Sequence, residues 1–121
     1  MTQFGQGDYS VLDRPEIVSS VFYPRPDLSL VKPKGTDDLF IPVGENVSLM
    51  ARVHQGPKDG PSILFFHGNG EIVSDYDELG RIYTKMGMTF IPVDYRGYGQ
   101  SSGSPTVSDM MRDSHAVFEF V

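Results

Sequence analysis

The chain has 121 residues, of which 39% are hydrophobic, with no cysteine and a net charge of −6 at pH 7. That length and composition fit a single domain with a real core, and they exclude a disulfide framework, a thiolate metal site and intrinsic disorder. The acidic balance makes nucleic acid and anionic membrane surfaces poor partners, and no apolar run approaches the ~20 residues that span a bilayer.

Met1–Asp8 has neither the basic nor the apolar region of a signal peptide, so a cytoplasmic protein is expected. Residues 1–15 are polar with scattered glycine and read as a loose N-terminal arm; residues 16–121 read as one α/β domain. Ile17–Tyr23 is rich in β-branched and aromatic residues, closed by Pro24 and Pro26, and predicts a short strand. Asp37–Pro42 and Asn46–His54 predict an antiparallel pair around Val43–Asn46. Val47, Leu49, Ala51 and Val53 alternate onto a buried face, leaving Ser48, Met50, Arg52 and His54 on a wet one. Gly56–Pro61 is a turn.

The pattern then changes. Ser62–His67 is continuously apolar up to its histidine, as in a strand covered on both faces, and Gly68-Asn69-Gly70 breaks it. Tyr76, Leu79, Ile82, Tyr83 and Met86 follow with helical spacing, and Gly87 stands where a left-handed C-cap belongs. Met88–Asp94 is a second buried-type strand. Tyr95–Pro105 has no periodicity, and Thr106–Asp109 reads as a capping box that opens a last helix. The second half is therefore a parallel β-α-β-loop-α unit, and the first half is antiparallel.

Two loops carry the chemical possibilities. In His67-Gly68-Asn69-Gly70-Glu71, two glycines allow a sharp turn and close approach of a ligand, and a following helix start offers free N–H groups. Such a turn serves as a phosphate cradle, as a backbone donor to an acyl-transfer oxyanion, or as a plain connection. A nucleotide-binding Rossmann-like reading gains from Asp94, 26 residues after Gly68, at the end of the next strand. It fails at Val73, where the glycine fingerprint requires Gly or Ala. Gly99-Gln100-Ser101-Ser102-Gly103 matches the letters G-x-S-x-G of a serine nucleophile. It lies in a loop rather than on a strand-to-helix turn, so Ser101 and Ser102 are expected to bond their own backbone. His54 reads as a surface residue, His67 as a satisfied structural histidine, and His115 carries no mark of a ligand. Asp75, Asp77 and Glu78 read as a solvated helix face, and neither metal nor cofactor is expected.

From Ile17 to Val121 the chain resembles the N-terminal half of an α/β-hydrolase. Ile63–His67 with Gly68-Asn69-Gly70 is similar to that superfamily's third strand and oxyanion loop. Asp94-Tyr95-Arg96-Gly97-Tyr98-Gly99-Gln100-Ser101 is similar to its D-x-R-G-x-G-x-S loop after the fourth strand. The nearest branch is the peptidase-, lipase- and esterase-like one whose loop reads His-Gly-Asn. The resemblance implies a serine hydrolase acting on a small acyl substrate through an ester, thioester or amide bond. It makes the Asn69 backbone N–H an oxyanion donor, with Gly70 a weaker substitute. His67 and Gly68 then shape the loop, Glu71 lies beside the site, and Asp94 and Arg96 hold a structural turn.

In that family the nucleophile, acid and catalytic histidine all come later than Val121. The expectation is thus an N-terminal fragment that supplies part of the oxyanion hole and is inactive alone. The family's strand order leaves Ile63–Phe66 as an open edge, expected to bind the C-terminal remainder or a second copy. A non-catalytic interaction module working through that edge is the alternative.

Overall fold

Four strands form one open sheet: β1 (Thr36–Gly44), β2 (Val47–His54), β3 (Ser62–Phe66) and β4 (Thr89–Val93), in the spatial order β1-β2-β4-β3. The structure, a computed structural model, describes residues 7–29 and 31–121. The first six residues of the expected arm lie outside the described residues. β1 and β2 make an antiparallel hairpin with Thr36 opposite His54. Its turn places Asn46 at φ 60, a left-handed conformation that Asn tolerates. β4 runs antiparallel to β2 and parallel to β3, with Ser62 opposite Thr89 and Phe66 opposite Val93.

Every residue of β4 is buried, as its apolar run predicts. β3 is only half-buried, because it ends the sheet and has a neighbour on one flank alone. Helices α2 (Asp77–Lys85) and α3 (Val107–Phe120) follow β3 and β4, as the periodicity predicts. Gly87 takes the left-handed C-cap at φ 89, and the Thr106 side chain accepts the Asp109 N–H. Ile41, Leu49, Ala51, Ile91, Val93 and Val117 form the main core.

Three expectations change. Ile17–Tyr23 is not a strand; Pro15–Val21 is helix α1. Val18 and Phe22, four residues apart, pack together against Tyr98 and Val107. Pro15 at the first helical position starts the turn, where its missing N–H costs nothing. The second half of the arm is also anchored: Ser10–Asp13 forms a 3₁₀ turn, and Asp13 Oδ1 accepts the Ser108 N–H at 2.9 Å.

The second change is in β2, whose supposedly wet face is covered: Met50, Arg52 and His54 are all buried. The strand is central, and α2 lies over that face. Arg52 is accommodated there by ion pairs to Asp38 (2.8 Å) and Asp77 (3.1 Å). Third, of the expected solvated face Asp75 and Glu78 are exposed, Asp75 pairing with Arg25 at 2.7 Å, whereas Asp77 is half-buried against Arg52.

His54 packs directly under Gly80 of α2, and a Cβ at Gly80 would stand 2.4 Å from the imidazole ring. Helix propensity alone favours Gly80→Ala by about 1 kcal/mol, but overpacking of this kind costs about 1–3 kcal/mol. Gly80→Ala is thus expected to lower the urea midpoint, and a raised midpoint contradicts the packing.

His54 Nε2 has no hydrogen-bond partner among the described residues and lies 3.6 Å from Asp77 Oδ1. Burial pushes this imidazole below its ordinary value of 6.5, with Asp77 opposing and Arg52 assisting. Below that value the unfolded chain takes up a proton that the folded chain refuses, so stability falls with acidity until the depressed folded value is reached. Between about pH 7.5 and about pH 5 the wild type should lose more Tm than His54→Gln, and equal slopes would remove His54 as the cause.

Candidate functional site

The loop His67–Glu71 leaves the C-terminal end of β3 and reaches the 3₁₀ turn Val73–Tyr76 that runs into α2. Its upstream end is fixed by a buried pair: His67 Nε2 lies 2.7 Å from Asp94 Oδ1, both side chains fully inaccessible. Asp94 Oδ1 also accepts the Val73 N–H at 2.9 Å, so one carboxylate oxygen ties together both ends of the loop. His67 Nδ1 is 2.9 Å from the Gly68 carbonyl, which only accepts, so Nδ1 carries a proton. The Nε2···Oδ1 contact then holds one shared proton, and the pair is neutral overall on either side of the transfer. Burial pushes the Asp94 carboxyl up, against the opposing pull of His67.

The glycines do separate jobs. Gly70 sits at φ 77, left-handed as the sharp turn requires. Gly99, at φ 55, lets the second loop close on Asp94, because a Cβ there would meet Asp94 Oδ2 at 2.1 Å.

The N–H groups at the tip of the loop, Gly68 to Gly70, are not held alike. The Gly68 N–H donates to Glu71 Oε1 at 2.6 Å, and the Tyr76 hydroxyl donates to the same oxygen at 2.5 Å. Those bonds, Tyr76 first, hold the Glu71 carboxyl below the usual range and push Tyr76 up to about 12. The Gly70 N–H makes no hydrogen bond among the described residues. The Asn69 N–H meets no acceptor among the described residues, and Asn69 is exposed. Of the loop residues singled out in the sequence, His67 and Glu71 thus shape it through their side chains.

The second loop is tied down throughout. Ser101 Oγ accepts the Met50 N–H at 2.8 Å and donates to the Asp94 carbonyl at 2.8 Å. Ser102 Oγ bridges the Ser48 N–H and carbonyl. Ser102 Oγ therefore bonds to β2 and Ser101 Oγ ties β2 to the start of its own loop, rather than either bonding its own turn, and Ser101 is buried. Arg96 forms a two-point ion pair with Asp113 of α3, at 2.7 and 3.0 Å. Asp94 is fully buried, which removes it as a ribose-binding carboxylate. Among the described residues no group of three or more His, Asp or Glu side chains is placed to hold a metal ion. No helix among them is long and apolar enough to cross a membrane.

The family profile Hydrolase_4, described as "Serine aminopeptidase, S33", matches residues 58–121, just over half of the chain and both loops. The chain belongs to this α/β-hydrolase family. It is 31% identical over 68 residues to Protein bem46 of Schizosaccharomyces pombe, covering 55% of this chain and 23% of that one. It is 41% identical over 63 residues to the lysophosphatidylserine lipase ABHD12 of Xenopus tropicalis, covering 50% of this chain and 16% of the lipase. A solved esterase of Pyrococcus furiosus shares the fold with a TM-score of 0.63 at 20% identity, covering 83% of this chain and 40% of the esterase. The chain thus spans under a quarter of these two curated relatives, and the mixed sheet is the family's.

Proposed function

We propose that residues 67–71 form the oxyanion loop of a serine hydrolase acting on ester, thioester or amide bonds of a small acyl substrate. The nucleophile, acid and catalytic histidine are then carried by sequence outside these 121 residues. One observation carries the reading: in a loop whose Gly68 N–H is held by Glu71, the exposed Asn69 has an N–H with no acceptor among the described residues. Attack on an acyl carbonyl drives its electron pair onto oxygen, and a preorganised N–H aimed at that oxygen is worth about 10²–10³ in kcat. The loop needs no reorganisation at that moment, because His67–Asp94 and Glu71 already hold it. His67 is no general base, since both ring nitrogens are engaged and the side chain is inaccessible. Family membership supports the same chemistry, while the substrates named for relatives belong to those relatives.

A second reading follows from the outer edge of β3, which has no partner strand among the described residues. Phe118 and Phe120 are exposed on α3, and Phe118 with Leu64 and Phe66 lines an open depression beside that strand. This edge receives either the rest of the hydrolase sheet or a second copy. Light scattering separates the two: the longer polypeptide should be monomeric where the 121-residue chain associates.

The test of the hydrolase reading uses the longer coding sequence with a fluorophosphonate probe. Mass spectrometry should place the adduct on a serine outside residues 1–121, and Ser101→Ala should leave labelling unchanged. An adduct on Ser101, or no adduct, overturns the proposal.

A further inference from the structure

The side chain of Asn69 reaches the segment that follows α1. Its Oδ1 accepts the Tyr23 N–H at 2.7 Å and the Tyr98 hydroxyl at 2.9 Å, and the Tyr98 oxygen in turn lies 2.8 Å from the Tyr23 N–H. A backbone N–H can only donate, so the Asn69 atom that meets it must be oxygen; this fixes the amide orientation and makes the Tyr98 hydroxyl the donor toward Asn69. The three groups close a triangle drawn from three distant stretches of chain.

The same segment grips the next residue of the loop. Arg25 Nη1 donates to the Gly70 carbonyl at 2.9 Å, while its guanidinium pairs with both oxygens of Asp75 at 2.7 Å. The Arg25 carbonyl accepts the Gly99 N–H at 2.8 Å, and Ser74 Oγ reaches Asp27 Oδ2 at 2.5 Å. Residues 23–27 thus cross the oxyanion loop and touch its tip, its exit and the second loop behind it. The contacts are not incidental, since Tyr98 is fully buried in the cluster with Phe22 and Val107. The strap therefore rests on packed core while it holds an exposed turn.

We infer that residues 23–27 are a positioning strap for the oxyanion loop, with the Asn69 side chain and the Tyr98 hydroxyl as its latch and Arg25 as its second clamp. The inference rests on the hydrolase reading above. Asn69 then has two separable roles. Its backbone N–H faces the developing oxyanion, and its side-chain oxygen sets where that N–H points. Alanine at this position keeps the first group and removes the second, which makes the roles experimentally distinct. Neither Tyr98 nor Arg25 touches substrate in this scheme. They act through the loop.

The experiment uses the longer polypeptide that contains this region, with p-nitrophenyl butyrate as substrate and a fluorophosphonate as covalent probe. Asn69→Ala and Tyr98→Phe are made singly and together, and the melting temperature of each is recorded so that assays run on folded protein. Misplacing a catalytic group by about 1 Å costs on the order of 10²-fold, so Asn69→Ala should lower kcat about 10- to 100-fold with KM changed less than about threefold. Tyr98→Phe, which leaves the Tyr23 bond to Asn69 intact, should cost about threefold to tenfold. The double variant should match Asn69→Ala alone, because both changes open the same latch. Backbone amide exchange at residues 69 and 70 should quicken in both single variants. Wild-type kcat and labelling rates in both variants overturn the strap and leave the hydrolase reading standing, as does a loss confined to KM. No labelling of the unaltered polypeptide removes the hydrolase reading and the strap with it.

Discussion

Replacing Asp94 with alanine should destabilise the fold by about 3–5 kcal/mol, the cost of removing one partner from a buried, hydrogen-bonded pair. Asp94 is fully buried, and its Oδ1 serves both the Val73 N–H and His67 Nε2. Alanine strands both groups, each at about 1–3 kcal/mol, and leaves a gap beneath Gly99. Asparagine is the informative comparison. It offers one neutral oxygen in place of Oδ1, which can accept from Val73 and from a neutral His67 protonated at Nε2. The imidazole then has no proton left for the Gly68 carbonyl, so one contact of the three is lost. Asp94→Asn should therefore cost about 1–2 kcal/mol, well short of alanine. The chain has no tryptophan, so far-UV circular dichroism in urea is the suitable readout. Equal losses in the two variants, or an alanine loss under about 1 kcal/mol, would show that the three contacts do not act as one network.

The same network explains why two loops far apart in sequence behave as one site. His67 ends β3, Asp94 follows β4, and the parallel pairing of those strands brings the two side chains together across 27 positions. The Tyr95 hydroxyl adds a bond to the His67 carbonyl at 2.5 Å, and burial raises its pKa to about 12, so it remains a donor. The D-x-R-G-x-G-x-S loop is thus a buttress for the His67–Glu71 loop. Its serine is spent on β2 and its arginine on α3.

How much of this was legible in the sequence depended on the range of the interactions concerned. β3, β4, α2, α3 and the turn between β3 and α2 were readable because each rests on a local pattern: an apolar run, a helical stripe, a cap or a glycine pair. α1 was not, because Ile17, Val18 and Val21 have the composition of a strand, and only contact with Tyr98 and Val107 selects helix. The second face of β2 was misread for a related reason. Arg52 and His54 look solvent-directed until α2 covers them and Asp38 and Asp77 supply the countercharge. In the site, the residue types of the loop were visible, and so was the oddity of Ser101 off its turn. The contacts that order the loop were not: Tyr23 lies 46 residues from Asn69 and Tyr98 lies 29 beyond it. No periodicity encodes such pairs.

Arg52 is the other position where a single change should be felt strongly. Its side chain is 3% exposed, yet it carries a charge in the middle of the sheet. Burial works against that charge, and bonds to Asp38 and Asp77 more than offset it, raising the guanidinium pKa above its ordinary value. Nε and Nη2 take both oxygens of Asp38 at 2.8 and 3.2 Å, while Nη1 reaches both oxygens of Asp77 at 3.1 Å and Ser74 Oγ at 3.3 Å. Planar forked geometry is required, since one ammonium cannot address two carboxylates on opposite sides. Arg52→Ala should cost about 3–5 kcal/mol, and Arg52→Met nearly as much, because restoring volume still leaves two carboxylates without their cation. Arg52→Lys should fall between these and the wild type. A buried pair is poorly screened, so the loss should be similar at low and at ~1 M salt. Ser74 and Asp77 mark the point where the exit of the His67–Glu71 loop becomes α2, so amide exchange over residues 72–77 should quicken in Arg52→Ala before the rest of the sheet opens. A loss that vanishes in high salt, or exchange that quickens uniformly along the chain, would mean that Arg52 stabilises the fold without anchoring the helix that carries the loop.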